Sequence, residues 1–155
     1  MDVPEATVYP VLKGKVAIVT GGARGMGKAT ASAFLRAGAQ VVIADVKEVE
    51  GQATEKELSK FGDIIFVRCD ISKSEDVRNL IAVTLEKFGK LDVAVNNAAL
   101  TPDRTQLIEF DEVYWNNLVG INLTGTALLL QVGNATNVEA GHERLYCQHC
   151  IHQFV

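Results

Sequence analysis

Thr20-Gly21-Gly22-Ala23-Arg24-Gly25-Met26-Gly27 is the stretch that decides the fold. Residues 16–19 before it (VAIV) are a short apolar, β-branched run and read as a buried strand. Residues 28–37 after it (KATASAFLRA) are rich in helix formers and stop at Gly38, a natural helix end. A turn between a strand and a helix can hold a pyrophosphate, because a helix N-terminus offers open backbone N–H groups and a partial positive charge. Side chains there would hold phosphates away, so glycine is needed at the turn and at the point of close approach. Gly21, Gly25 and Gly27 are spaced Gly-x3-Gly-x-Gly, not the commoner Gly-x-Gly-x2-Gly. Glycines also end strands, so the turn alone is a weak signal. Its place between strand and helix gives it weight.

The same alternation continues outward. Residues 41–44 (VVIA), 64–67 (IIFV) and 91–95 (LDVAV) read as further strands. Residues 48–60 and 74–88 read as helices; the second opens with Ser74 and Val77 at capping spacing, without the Glu of a full capping box. Residues 110–132 read as one long, largely apolar helix starting near Asp111. Continuous apolar strands separated by helices imply a parallel sheet covered on both faces. Right-handed crossovers then give an α/β doubly wound, Rossmann-type sheet. A non-nucleotide α/β domain, such as a flavodoxin-like one, is the less favoured alternative on the strand pattern alone. The expected order is 3-2-1-4, truncated after the fourth strand and the following long helix. Residues 1–14 form a lead-in, 15–133 the partial dinucleotide-binding domain, and 134–155 a poorly ordered tail.

Composition sets outer limits. The chain has 155 residues, a net charge of −4, 48% hydrophobic and 22% charged residues, so it can build a packed core. The mild acidity argues against a dedicated nucleic-acid surface. No unbroken apolar run approaches the roughly 20 residues of a membrane span, and none resembles a secretory leader. Three cysteines, Cys69, Cys147 and Cys150, cannot close a disulfide framework, so a reducing, cytoplasmic setting is expected.

Three carboxamide or carboxylate positions refine the reading. Asp45 follows the second strand, about 20 residues after the loop, where a carboxylate can accept from both ribose hydroxyls of adenosine. It would repel a 2′-phosphate, which favours NAD(H) over NADP(H); Arg24 near the loop argues the other way, with less weight. An exposed acid at a strand end is the plainer alternative. Asp70 follows the third strand and can accept from an adenine amino group, or serve simply as a helix N-terminal acid. Asn122 is a polar residue in an apolar helix, which also fits a satisfied core amide.

With Asn96-Asn97-Ala98-Ala99 after the fourth strand, the set resembles the short-chain dehydrogenases/reductases. TGGARGMG and VVIADVKEVEGQAT look most like the NAD-linked, hydroxysteroid-dehydrogenase-like branch. The resemblance runs from about Lys13 to Leu130; Ala99 stands where the family usually has Gly. It implies that Gly21, Arg24, Gly25, Met26 and Gly27 line the pyrophosphate, Asp45 and Val46 the adenosine ribose, and Asp70 and Ile71 the adenine. Asn97 and Ala98 would lie along the nicotinamide side. Asn122 matches the family's helix asparagine, which distorts the helix and holds a water in the proton relay. The implied chemistry is hydride transfer between nicotinamide and a secondary alcohol or ketone, with a Tyr as general acid/base beside a Lys, in a homo-oligomer.

The catalytic set is incomplete. The chain has no Tyr-x3-Lys; its tyrosines are Tyr9, Tyr114 and Tyr146. After about Gly141 the residues have neither strand alternation nor helix period. Read from codons one base out of register, residues 144–152 permit Gly-Ser-Ile-Val-Asn-Ile-Ala-Ser-Ile, which resembles the family's fifth strand with its catalytic serine. A frameshift just before Arg144 is therefore expected, leaving this chain truncated and inactive. Cys147-x2-Cys150 with His142, His149 and His152 offers a rival zinc reading, weakened by crowding and by the lack of a second Cys-x2-Cys; no metal is expected.

Overall fold

The structure is a computed structural model and describes residues 9–101, 109, 111–139 and 146–148. Strand β1 (Val16–Thr20) is buried at every position and feeds the loop that opens α1 (Gly25–Arg36). β2 (Gln40–Asp45), α2 (Glu48–Leu58), β3 (Ile64–Arg68), α3 (Ser74–Phe88) and β4 (Val93–Val95) follow in strict alternation. The helical stretch after β4 divides into α4 (Glu112–Val119), a π-helical turn (Gly120–Gly125) and α5 (Thr126–Glu139).

The sheet is parallel, with strand order β3-β2-β1-β4-β5, where β5 is Tyr146–Gln148. The doubly wound α/β class is as expected, and β3-β2-β1-β4 appear in the expected order. The expected order ended at the fourth strand, and this is corrected: β5 lies beside β4, pairing Val93 with Tyr146 and Val95 with Gln148. An edge strand presents unpaired backbone groups, and pairing to them requires backbone rather than a particular side-chain pattern. The rest of the expected tail, residues 140–145 and 149–155, lies outside the described residues.

Alternation along the strands builds two cores. Ile18, Val42 and Val67 face α3 and α5, with Val77, Leu80, Ile81 and Leu129. Val19, Val41 and Ile43 face α1 and α2, with Ala31, Leu35 and Leu58. The sheet therefore buries both faces, which is why its strands read as unbroken apolar runs. At the N-terminal edge, Asp92 accepts from the Val16 N–H at 2.9 Å and takes Lys15 Nζ at 3.1 Å and Lys90 Nζ at 3.0 Å. Burial raises its pKa, but these donors outweigh burial and hold the carboxyl below its usual range.

One helix reading is corrected. Ser74 does not cap α3: Lys73 holds the cap position without a side-chain bond, and Ser74 Oγ accepts instead from Arg78 Nε at 3.3 Å. Within the stretch 110–132 the π turn lies around Asn122, where the resemblance implied a distorted helix. Glu112–Ala135, in which an 18-residue stretch has mean hydropathy 1.2 and is 17% buried, is long and apolar enough by length and composition to cross a membrane. Asparagines and threonines interrupt it, so it holds no unbroken apolar run. In this fold it lies against the sheet: Leu129 is 1% exposed, and Gly125 packs on Ile71. Its outer side carries Val113, Trp115 and Leu123 at 70%, 52% and 68% exposure.

Candidate functional site

A cleft of about 390 Å³ opens at the C-terminal ends of β1 to β4, where the strand order reverses between β1 and β4. Open α/β sheets bind their ligands at this point. Gly21, Arg24, Gly25, Met26 and Gly27 line it from the loop, Asp45 and Val46 from the end of β2, and Asp70 and Ile71 from the end of β3. Asn97 and Ala98 line it from the end of β4. Asn122 is not part of the lining, although its neighbour Ile121 is.

The loop is built to leave backbone open. A Cβ on Gly27 would sit 2.1 Å from the Gly21 carbonyl oxygen, so the turn closes only with glycine there. Gly25 has φ +56° and nothing within 4 Å of where a Cβ would stand. α1 begins without a capping side chain and without an acid in its first turn. By contrast, α4 is capped by Asp111, whose Oδ1 accepts from the Val113 and Tyr114 N–H groups at 2.9 and 3.1 Å. An uncapped N-terminus facing a cleft suits an anion.

Thr20 and Asn97 join the loop to β4. The Thr20 hydroxyl donates to the Val95 carbonyl at 3.2 Å and accepts from the Asn97 and Ala98 N–H groups, both at 3.1 Å. Asn97 Nδ2 donates to the carbonyls of Thr20 at 2.8 Å and Gly21 at 3.3 Å. Its amide hydrogens thus serve the loop, a role its place in the motif did not reveal.

The two acids at the strand ends are both engaged. Asp45 Oδ2 accepts from the Ala23 N–H and Oδ1 from the Lys47 N–H, each at 3.1 Å. Each oxygen keeps a further lone pair for an outside donor. Asp70 Oδ1 accepts from Ser72 N at 3.1 Å and Ser72 Oγ at 2.7 Å, and Lys73 Nζ lies 3.7 Å from Oδ2. Burial raises the Asp70 pKa, but the Ser72 bonds and Lys73 outweigh it and hold the carboxyl below its usual range. Beside it, burial first and then Asp76 and Asp70 push the Cys69 thiol up to about 12. Cys69 is a neutral wall of the cleft.

Asn122 sits in the π turn. Its Oδ1 accepts from the Leu100 N–H at 2.8 Å, and its Nδ2 donates to the Leu100 carbonyl at 2.9 Å. The side chain therefore holds the segment after β4 rather than reaching into the cleft. Tyr114 Oη donates to the next carbonyl, that of Thr101. Among the described residues no group of three or more His, Cys, Asp or Glu is placed to hold a metal. His142, His149, Cys150 and His152 lie outside them.

The fold and the cleft define a doubly wound domain of the Rossmann type. Residues 15–138 match the family described as short chain dehydrogenase, and the chain belongs to that family. A short chain dehydrogenase/reductase of Aspergillus oryzae, astE, is 44% identical over 122 residues, which cover 77% of this chain and 47% of that protein. The L-fucose dehydrogenase of Oryctolagus cuniculus is 44% identical over 119 residues, covering 77% of this chain and 41% of that protein. The 3beta-hydroxysteroid dehydrogenase 2 of Eggerthella lenta is 38% identical over 120 residues, covering 77% and 46%. The crystal structure of a short chain dehydrogenase from Mycobacterium smegmatis superposes with a TM-score of 0.80 at 34% identity, covering 86% of this chain and 57% of that one. The chain thus spans about half the length of the curated relatives it matches. The family uses nicotinamide cofactors, and the uncapped α1 N-terminus, the side-chain-free loop and the two strand-end carboxylates fit such a group.

Proposed function

We propose that this chain is the cofactor-binding part of an NAD(H)-dependent oxidoreductase that interconverts a secondary alcohol and a ketone, of the hydroxysteroid-dehydrogenase-like kind. The observation that carries this reading is the Asp45 carboxylate at the end of β2, in the same cleft as the open glycine loop. Backbone N–H groups of the Gly25–Gly27 turn bind the pyrophosphate. Asp45 accepts from the adenosine ribose and, by its charge, disfavours a 2′-phosphate. Asp70 accepts from the adenine amino group beside Ile71. Asn97 fixes the loop, and Ala98 borders the nicotinamide side. Asn122 orients Leu100 at that side. When bound, nicotinamide supplies or accepts the hydride.

The proton step needs a Tyr and a Lys that this chain does not carry as Tyr-x3-Lys. We infer that residues from Arg144 onward are read out of frame, and that an in-frame product supplies the serine and the Tyr-x3-Lys. The chain as written then binds cofactor without turnover. Its setting is the cytoplasm, its substrate a small alcohol or ketone, and the exposed side of the 112–135 helix is its contact with like subunits.

Calorimetric titration with NAD and NADP tests the reading. NAD is expected to bind at least about tenfold more tightly, a difference of about 1.4 kcal/mol. Equal or tighter NADP binding overturns the cofactor choice, and a folded chain that binds neither overturns the module. Transcript sequencing across residues 140–145 tests the frame.

A further inference from the structure

The peptide groups around Ala23 are held from outside the loop on both sides. The Ala23 N–H donates to Asp45 Oδ2 at 3.1 Å, and the Ala23 carbonyl accepts from Thr54 Oγ1 at 2.7 Å. Thr54 belongs to α2 and is 3% exposed; Ala23 is 2% exposed. A buried helical threonine ordinarily gives its hydroxyl to the carbonyl four residues back on its own helix. Thr84 does so to Leu80 at 2.7 Å, and the half-buried Thr126 does the same to Asn122 at 2.9 Å. Thr54 instead leaves its helix and reaches a carbonyl 31 residues away in the chain.

The consequence falls on the next residue. The Ala23–Arg24 peptide bond is trans, so pinning the Ala23 carbonyl toward α2 turns the Arg24 N–H to the opposite side. Arg24 occupies the N-cap position of α1, with extended backbone, and Gly25 follows at φ +56°. The direction in which the first turn of α1 presents its N–H groups therefore depends on the Ala23 carbonyl. Without Thr54 that carbonyl would be buried and unpaired, and the loop would have reason to turn it toward water.

We propose that Thr54 is a positioning residue of the phosphate-binding loop: through the Ala23 carbonyl, α2 sets the aim of the α1 N-terminus. This rests on the dinucleotide reading above. Asp45 holds the preceding N–H, so Ala23 is fixed from β2 and α2 at once, and the Thr54 bond governs the pyrophosphate half of an adenosine diphosphate.

The test compares ADP, which carries the pyrophosphate, with adenosine, which does not, by calorimetry on the full chain. Thr54→Val keeps the shape and removes the hydroxyl. ADP affinity is expected to fall about five- to tenfold, with adenosine affinity within about twofold. Thr54→Ser is expected to restore ADP binding. Thr84→Val, the same change at a buried hydroxyl that serves its own helix, is expected to leave the ADP-to-adenosine ratio unchanged. Should valine prevent folding, Thr54→Ala removes the same hydroxyl with less crowding, and the same ratio applies. Thr54 variants that fold and bind ADP like the parent overturn the inference, as does an equal loss for both ligands. A parent chain that binds neither ADP nor NAD overturns the dinucleotide reading itself.

Discussion

The two ends of the cleft are held in different ways. The glycine loop is tied by side chains from three places at once: Asp45 of β2, Thr54 of α2, and Asn97 just after β4. Residues 100 and 101, at the other end, are tied by Asn122 and Tyr114, which stand on one helical stretch. A loop that must present several backbone N–H groups to one anion tolerates little rotation, so many independent ties suit it. A segment hung from a single helix moves as that helix moves. The π turn supplies its geometry there, setting Asn122 where both polar groups of the Leu100 backbone are within reach.

The comparison can be broken most severely at Gly27. Gly27→Ala places a Cβ 2.1 Å from the Gly21 carbonyl oxygen and 2.7 Å from Asn97 Nδ2, and the ties on the loop leave neither room to withdraw. A stability loss of about 3 kcal/mol in urea titration is expected, with loss of ADP binding. A variant of near-parental stability would show that the loop is looser than its bonds imply. The next test sets the two ends against each other. Asn97→Ala strips donors from the Thr20 and Gly21 carbonyls and is expected to cost about 2 kcal/mol. Asn122→Ala releases the partly buried Leu100 backbone at about 1 kcal/mol. The reverse ranking would contradict the contrast drawn here.

The smallest effect sharpens the picture through pH. Asp70 and Asp92 both have carboxyl pKa values lowered on folding. Their contribution is fully present above the unfolded carboxylate value of about 4 and is lost as pH falls through the lower folded values. The melting temperature is therefore expected to drop through that acid window, and Asp70→Asn to flatten part of the drop. An Asp70→Asn profile parallel to the parent's would remove Asp70 from that account.

The strands were legible because both faces of the sheet are covered, so residues 16–19 and 41–44 carry no polar interruption. The cleft was legible because a strand end followed by glycine or acid is a local pattern. What escaped depends on partners distant in the chain. Asn122 works on Leu100, Asp92 on Val16, and Thr54 on Ala23. β5 escaped for a different reason: three residues joined a sheet edge through their backbones, with no apolar pattern to announce them.

Thr20 has one hydrogen to give and two lone pairs to fill, and Val95, Asn97 and Ala98 take all three. Among the side chains short enough for the end of β1, only serine offers the same valence. Valine fits the space and forfeits every bond; cysteine reaches too far and bonds too weakly. This position is therefore nearly closed to substitution, and a random library screened for folding alone should return threonine or serine there and little else.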